Sequence, residues 1–153
     1  MNNIRKIIKN DIEDLKSVLH TIELFPAEML DDMMSDYFEN PETEDIWFTA
    51  VHNEKPVSIG YCAPEKLTDG TYNLYAIGVQ SDLQDKGIGG EMMIFIEDYL
   101  KNAGHRILIV ETSSSPEFEL TREFYIKRNY TKEATIRDFW KEGDDKVIFW
   151  KKL

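Results

Sequence analysis

Gln84-Asp85-Lys86-Gly87-Ile88-Gly89-Gly90 lies between an uncharged run, Leu74-Tyr75-Ala76-Ile77-Gly78-Val79, and a stretch in which Met92, Met93, Phe95, Ile96, Tyr99 and Leu100 recur at helical spacing. The first run reads as a buried strand and the second as an amphipathic helix, with Gly104 as its stop. Glycines at a strand-to-helix corner let backbone N–H groups approach a ligand with no Cβ in the way. Those N–H groups are also the orphan donors of a helix N-terminus, which carries partial positive charge. Such a corner suits phosphate, although a plain tight turn would use the same residues.

Two phosphate motifs fail on residue identity. The P-loop needs Lys and then Ser or Thr after its last glycine, and here Gly89 is followed by Gly90-Glu91. The dinucleotide fingerprint needs glycine where Met92 stands, near the start of a βαβ unit rather than after several strands. What remains is Gln-x-x-Gly-x-Gly-Gly after a strand ending in valine. It resembles the signature of the GNAT superfamily of acyl-CoA-dependent N-acetyltransferases, and the order of elements resembles that family across essentially the whole chain.

Ile4 to Ile8 reads as a first strand. Asn10 with Glu13 is a capping-box pattern opening a helix with Ile12, Leu15, Val18, Leu19 and Ile22 on one face. Pro26 suits a first helical turn, and Met29, Leu30, Met33, Met34, Tyr37 and Phe38 make a second stripe closed by Asn40-Pro41. Ile46 to Val51 and Val57 to Ala63 read as strands paired across Asn53-Glu54-Lys55-Pro56. Thr68-Asp69-Gly70 then turns into the strand ending at Val79. Ile107-Leu108-Ile109-Val110 is a continuous apolar run, as in a strand covered on both faces. Ser115-Pro116 opens a short helix through Phe124 and Tyr125, with Asn129 able to take the left-handed conformation at its end. Thr135 to Trp140 and Lys146 to Trp150 alternate around Glu142-Gly143-Asp144-Asp145 as a hairpin. The sequence thus predicts β-α-α-β-β-β-α-β-α-β-β. The expected class is α/β (α+β mixed): a GNAT-like fold with a mixed, mostly antiparallel sheet of six to seven strands and about four helices on both faces. Its length predicts one domain over residues 1–153.

The chain is 42% hydrophobic and 31% charged, a globular balance. No apolar run approaches about 18 residues, and the N-terminus lacks the apolar core of a signal peptide. The expected location is cytoplasmic, with no membrane partner. The single cysteine, Cys62, excludes an internal disulfide and reads as a small buried hydrophobe. His20, His52 and His105 are scattered without ligand spacing, so no metal is expected. The net charge of -11 argues against nucleic acid as a partner. Residues 1–83 carry 6 Lys+Arg against 16 Asp+Glu, whereas residues 84–153 carry 12 against 13. Nine acids fall between Glu23 and Asp45 with no Lys or Arg among them. Such a run is commonly a solvated helix face. It also attracts cations, while the near-neutral half tolerates an anionic cofactor.

The resemblance implies a chemistry and the residues for it. Acetyl-CoA is the implied co-substrate. The implied cradle is Gln84, Asp85, Lys86, Gly87, Ile88, Gly89 and Gly90, whose backbone N–H groups face the pyrophosphate. The pantetheine arm pairs with Ile77, Gly78 and Val79, where a backbone N–H polarises the acetyl carbonyl and the next strand diverges. Hydrogen bonds to a charged group contribute about 1.5–3 kcal/mol each. Several of them outweigh the repulsion of an acidic protein, which salt screens beyond about 8 Å.

The Phe-Tyr-x-Lys-x-Gly-Phe/Tyr segment of many family members is matched by Phe124-Tyr125-Ile126-Lys127-Arg128-Asn129-Tyr130. Tyr125 is then the implied general acid, against the alternative of a core aromatic, which Phe124 resembles. Some related enzymes carry a catalytic Glu where Glu111 stands, and burial at a strand end would favour it as a base. The alternatives are a structural carboxylate and a proton relay through water. Asn129 departs from the usual glycine. Phe118 stands where close relatives often place an asparagine that contacts CoA, a role left to the turn Thr112-Ser113-Ser114-Ser115. Tyr72, Tyr75 and Asp138-Phe139-Trp140 are candidates for the acceptor pocket. The implied activity is acetyl transfer to a primary amine of a small cationic acceptor, by direct attack in a ternary complex. A protein N-terminal or lysine acetyltransferase, or a non-catalytic acyl-CoA-binding regulatory module, would keep the same motif. Dimers are common among relatives, which makes a homodimer a further expectation.

Overall fold

The computed structural model describes residues 2–153. Among them the chain forms, in order, β1 (Asn3–Lys6), α1 (Ile12–Leu19), α2 (Leu30–Glu39), β2 (Ile46–His52), β3 (Lys55–Pro56), β4 (Ser58–Pro64), β5 (Thr71–Val79), α3 (Ile88–Asn102), β6 (Ile107–Ser113), α4 (Glu119–Lys127), β7 (Thr131–Lys141) and β8 (Asp144–Lys152). Apart from the two-residue β3, this is the order read from the sequence. The strands follow the hydrogen-bonded order β1-β2-β4-β5-β6-β8-β7, with β3 on β2. The sheet is mixed and mostly antiparallel, β5 and β6 being a parallel pair. Two compact units divide the chain. One holds the residues up to Ala63 together with Tyr75–Asp98, and the other holds Pro64–Leu74 and Tyr99–Leu153.

In the first unit, β2 pairs antiparallel with β1 and β4, setting Trp47 opposite Tyr61 and Phe48 opposite Gly60. Consecutive strand residues point to opposite faces, and each face has its own helices. Trp47 and Ile59 join Leu15 and Leu19 of α1 and Leu30 and Met34 of α2 in one buried cluster. Phe48 instead meets Phe95 of α3. A side chain at Gly60 would collide with the Phe48 ring, so the absence of a Cβ there is a packing requirement. Burying each large apolar side chain contributes about 1.5–3 kcal/mol.

Two local expectations are corrected in this unit. The Asn10–Glu13 box does not form. Asp11 instead accepts the Ile8 N–H at 2.9 Å and both guanidinium nitrogens of Arg5 at 2.7 and 2.9 Å. Burial works against the Asp11 charge, but the Arg5 fork and the Ile8 N–H outweigh it and hold the carboxyl below its usual range. The β2–β3 hairpin is also tighter than four residues: His52 pairs with Lys55, and Asn53 and Glu54 both take positive φ (49° and 64°). Two left-handed residues match the right-handed twist of the flanking strands.

In the second unit, β6 pairs in parallel with β5 from Thr71–Ile107 to Leu74–Val110, and antiparallel with β8 from Ile107–Lys152 to Ser113–Lys146. Leu108 and Val110 are buried whereas Ile107 and Ile109 are only partly so. The apolar run is therefore covered fully on one face, not on both. Helix α4 ends as expected, with Asn129 left-handed at φ 65°. The following Tyr130 N–H returns to the Tyr125 carbonyl. At the end of the strand order, all of β7 is exposed and two register shifts interrupt its pairing with β8. Bulges and charged side chains are devices that stop an edge strand from recruiting another strand.

Candidate active site

The glycine corner is held by its own side chains. After β5, the Gln80 N–H bonds the Val57 carbonyl, and the Gln84 side-chain amide reaches back to the Val79 carbonyl at 3.0 Å. Lys86 turns its ammonium to the Asp82 carbonyl at 3.1 Å. Asp85 and Gly87 are left-handed, at φ 60° and 86°. Left-handed backbone is what glycine adopts without strain and aspartate adopts more readily than most residues. Helix α3 then begins at Ile88, whose side chain is only 4% exposed and anchors the corner in the core. Residues 84–87 are exposed, and a Cβ at Gly87 would meet nothing within 4 Å. The first N–H groups of a helix have no partner inside it, so the corner offers open backbone donors to an anion. That donor set fits a pyrophosphate, with Gln84 and Lys86 bracing the corner.

The strand leading into the corner packs closely on the chain between α1 and α2. Tyr75 stacks on Tyr61, which packs with Leu24 against the α1–α2 cluster. A Cβ at Gly78 would lie 2.6 Å from Ile22 Cδ1 and 3.3 Å from Leu24 Cδ2. The absence of a Cβ at Gly78 is therefore a packing requirement, at the segment expected to hold the pantetheine arm. Gly78, inside an apolar strand, was the signal in the sequence.

An aromatic series crosses three strands of this unit. Trp47 stacks on Tyr61 with centroids 4.1 Å apart and planes 11° apart, and Tyr61 stacks on Tyr75 at 5.5 Å. The Tyr61 hydroxyl donates to Asp45 Oδ2 at 3.2 Å. Burial, reinforced by Asp45, pushes the Tyr61 phenol well above its ordinary range.

The side-chain candidates lie in the second unit. Tyr125 is 3% exposed and is ringed by Phe124, Tyr130 and Phe149 at 5.3–5.6 Å. Burial pushes its phenol well above the ordinary value, which keeps the proton on the oxygen. The sequence suggested Phe124 as the core aromatic, but Phe124 is partly exposed beneath the Arg128 guanidinium, 3.8 Å from its ring centre. Glu111 is engaged at both oxygens: Oε2 pairs with Lys146 Nζ at 2.8 Å and Oε1 accepts the Asn73 amide at 3.2 Å. The same amide donates to Glu65 at 2.8 Å. Burial alone therefore does not describe the Glu111 carboxylate, which has a counter-ion. Lys146 in turn lies 4.0 Å from the Phe139 ring centre and 5.9 Å from that of Trp140.

Among the acceptor candidates, Tyr72 is buried against His105, whereas Tyr75 is 53% exposed. The turn offered for CoA contact is tied back to the protein at several of its polar atoms. Ser113 bonds Asp144 and the Ser115 N–H, and Arg122 donates to the carbonyls of Ser113 and Ser115. Lys146 and Asn73 were not found from the sequence. A lone polar residue in the run Tyr72-Asn73-Leu74 was the available hint.

The chain matches the Acetyltransferase (GNAT) family over residues 9–144, and it belongs to that family. Among solved structures it is similar to a GNAT-family structure from Desulfovibrio desulfuricans, with TM-score 0.91, 23% identity and 99% of each chain covered. It is also similar to an aminoglycoside 6'-N-acetyltransferase complexed with coenzyme A, with TM-score 0.77, 18% identity and 98% and 96% covered. A third is a ribosomal-protein-alanine N-acetyltransferase from Brucella melitensis, with TM-score 0.77, 14% identity and 99% of each chain covered. Comparison with curated protein sequences finds no match. Membership makes the chain an acetyltransferase with acetyl-CoA as its acyl donor. Among the described residues no helix is long and apolar enough to cross a membrane, and no group of three or more His, Cys, Asp or Glu is placed to hold a metal ion.

Proposed function

We propose that this acetyltransferase acts on a primary amine of a small cationic acceptor, by direct attack in a ternary complex. The observation that carries the acceptor class is the run of nine acids from Glu23 to Asp45 without a Lys or Arg, in the same unit as the glycine corner. Acetyl-CoA supplies the activated acyl group and a thiolate leaving group. The N–H groups of Asp85 to Gly90 hold its phosphates, and the backbone of Ile77 to Val79 binds the arm. A backbone N–H of that segment stabilises charge on the carbonyl oxygen. Tyr125, kept protonated by burial, donates to the departing sulfur. Glu111, fixed by Asn73 and Lys146, takes the proton of the attacking amine directly or through water. The test has two arms. Acetyl-CoA should raise the melting temperature, since a ligand of the native state stabilises it by mass action. Free thiol should appear when small cationic amines are added, faster than with neutral amines or peptides. Acetyl-CoA binding without thiol release from any amine would leave a binding module instead of an enzyme.

A further inference from the structure

Among the described residues, β7 is the one strand exposed along its whole length: all 11 of its residues, Thr131–Lys141, are exposed. Successive residues of a strand point to opposite faces, so neither face of β7 is covered. It also ends the strand order, which leaves its outer edge open. Ile136, Phe139 and Trp140 are among the exposed side chains, although large apolar residues in strands ordinarily pack against neighbours. The strand gains little from burial, and an open edge is a template for another strand.

The charges on β7 select the partner. Lys132-Glu133-Ala134-Thr135-Ile136-Arg137-Asp138 is a palindrome of opposite charge centred on Thr135. Antiparallel pairing of two copies about Thr135 brings Lys132 of each to Asp138 of the other, and Glu133 of each to Arg137. A slip of one residue in one direction brings Lys132 to Arg137 instead, and in the other direction Glu133 to Asp138. Opposite charges facing each other across strands are stabilising and like charges destabilising. The residues around the centre, Ala134, Thr135 and Ile136, keep regular register with Ile148, Val147 and Lys146 of β8, and both register shifts lie outside them. Bulges and charges that discourage edge pairing in general therefore leave one short register open. The net charge of -11 repels a second copy, but β7 carries three cations against two anions, so two copies can meet there.

We propose that β7 is a self-association surface. A second copy of this chain adds its own β7 antiparallel about Thr135, giving an isologous two-fold dimer. Backbone bonds around Ala134, Thr135 and Ile136 join the two sheets, and the paired charges on either side fix the register. The contact is short, so the dimer is a weak one that forms at about micromolar concentration.

Sedimentation velocity of the full chain over about 1–500 µM tests the surface, and the native chain should pass from monomer to dimer across that range. Glu133→Arg or Arg137→Glu sets like charges together at two places and should raise the dimer Kd at least about tenfold. Both side chains are exposed, so melting temperature should hold. Mixing the two variants, or combining the two substitutions in one chain, restores opposite charges and should restore association. Thr135→Cys should cross-link to its copy under oxidised glutathione, because directly opposite Cα atoms lie about 4.5–5.5 Å apart, within disulfide reach. Lys132→Cys would stand about 20 Å from its copy along the strands and should not. Cys62 is buried and does not compete. A native chain that stays monomeric throughout, a dimer that ignores both charge reversals, or cross-linking no faster in Thr135→Cys than in Lys132→Cys overturns the proposal.

Discussion

The glycine corner in the first unit and the surroundings of Tyr125 and Glu111 in the second are built from different material. At the corner the atoms proposed to bind are backbone N–H groups, and the sequence specifies conformation: Asp85 and Gly87 are left-handed, while Gln84 and Lys86 fold back onto the chain. In the second unit the backbone is ordinary strand and helix. The candidates there are single side-chain atoms, held by Asn73 and Lys146 or enclosed by rings. A backbone site tolerates new side chains until one changes φ or adds charge. A side-chain site tolerates neither the loss of one atom nor the loss of its brace.

The largest expected effect follows from removing one oxygen. Tyr125→Phe keeps the ring among Phe124, Tyr130 and Phe149, so stability and acetyl-CoA affinity should hold. Turnover should fall about 10²–10⁴-fold, the usual range for a lost acid–base group. An acyl donor whose leaving thiol has a lower pKa should lose less, because that thiolate departs with less help. Thiol release under steady-state conditions measures both. Nearly full turnover with chemistry rate-limiting would make Tyr125 a packing aromatic and erase the contrast between the two regions.

Gly89→Asp attacks the other region by charge. Aspartate in the first turn of α3 complements the helix dipole and removes a flexible glycine, so the unliganded protein should melt at the same temperature or slightly higher. If the corner is the phosphate cradle, the same carboxylate repels the phosphates, and acetyl-CoA affinity should drop about 100-fold or more, abolishing the thermal shift. Stability and binding thus move in opposite directions. A full thermal shift in Gly89→Asp would show that the phosphates lie elsewhere.

Legibility in the sequence followed the range of the interactions. The element order, the end of α4 at Asn129 and the corner itself depend on residues a few places apart, and periodicity and glycine reveal them. The Asp11 cap was misplaced by one residue because Arg5, which fixes it, sits on the preceding strand. The seat of Glu111 was hidden because Asn73 and Lys146 arrive from other strands; the Asn73–Glu111 bond spans 38 positions. The Trp47–Tyr61–Tyr75 series was invisible for the same reason, since register between strands decides it. Tyr72 and Tyr75 look alike in sequence, yet one is core and the other exposed, because alternation sends them to different surroundings once β5 is flanked.

A last pair of substitutions separates conformation from location. Gly87 and Gly143 are both left-handed, at φ 86° and 81°, and a Cβ on either would meet nothing within 4 Å. Steric crowding is therefore absent at both, and alanine should cost only the backbone strain of a left-handed residue, about 1–2 kcal/mol. For a chain of this size that lowers Tm by about 2–8 °C, by the same amount for Gly87→Ala and Gly143→Ala. Ligand binding should tell them apart. Gly87 lies in the proposed phosphate cradle, where a small shift in its φ would turn donors away from the ligand, and acetyl-CoA affinity should fall about two- to tenfold. Gly143 closes the β7–β8 turn and should leave that affinity unchanged. Equal losses of affinity in both variants would mean that stability alone sets binding, and that the left-handed corner is a turn like any other.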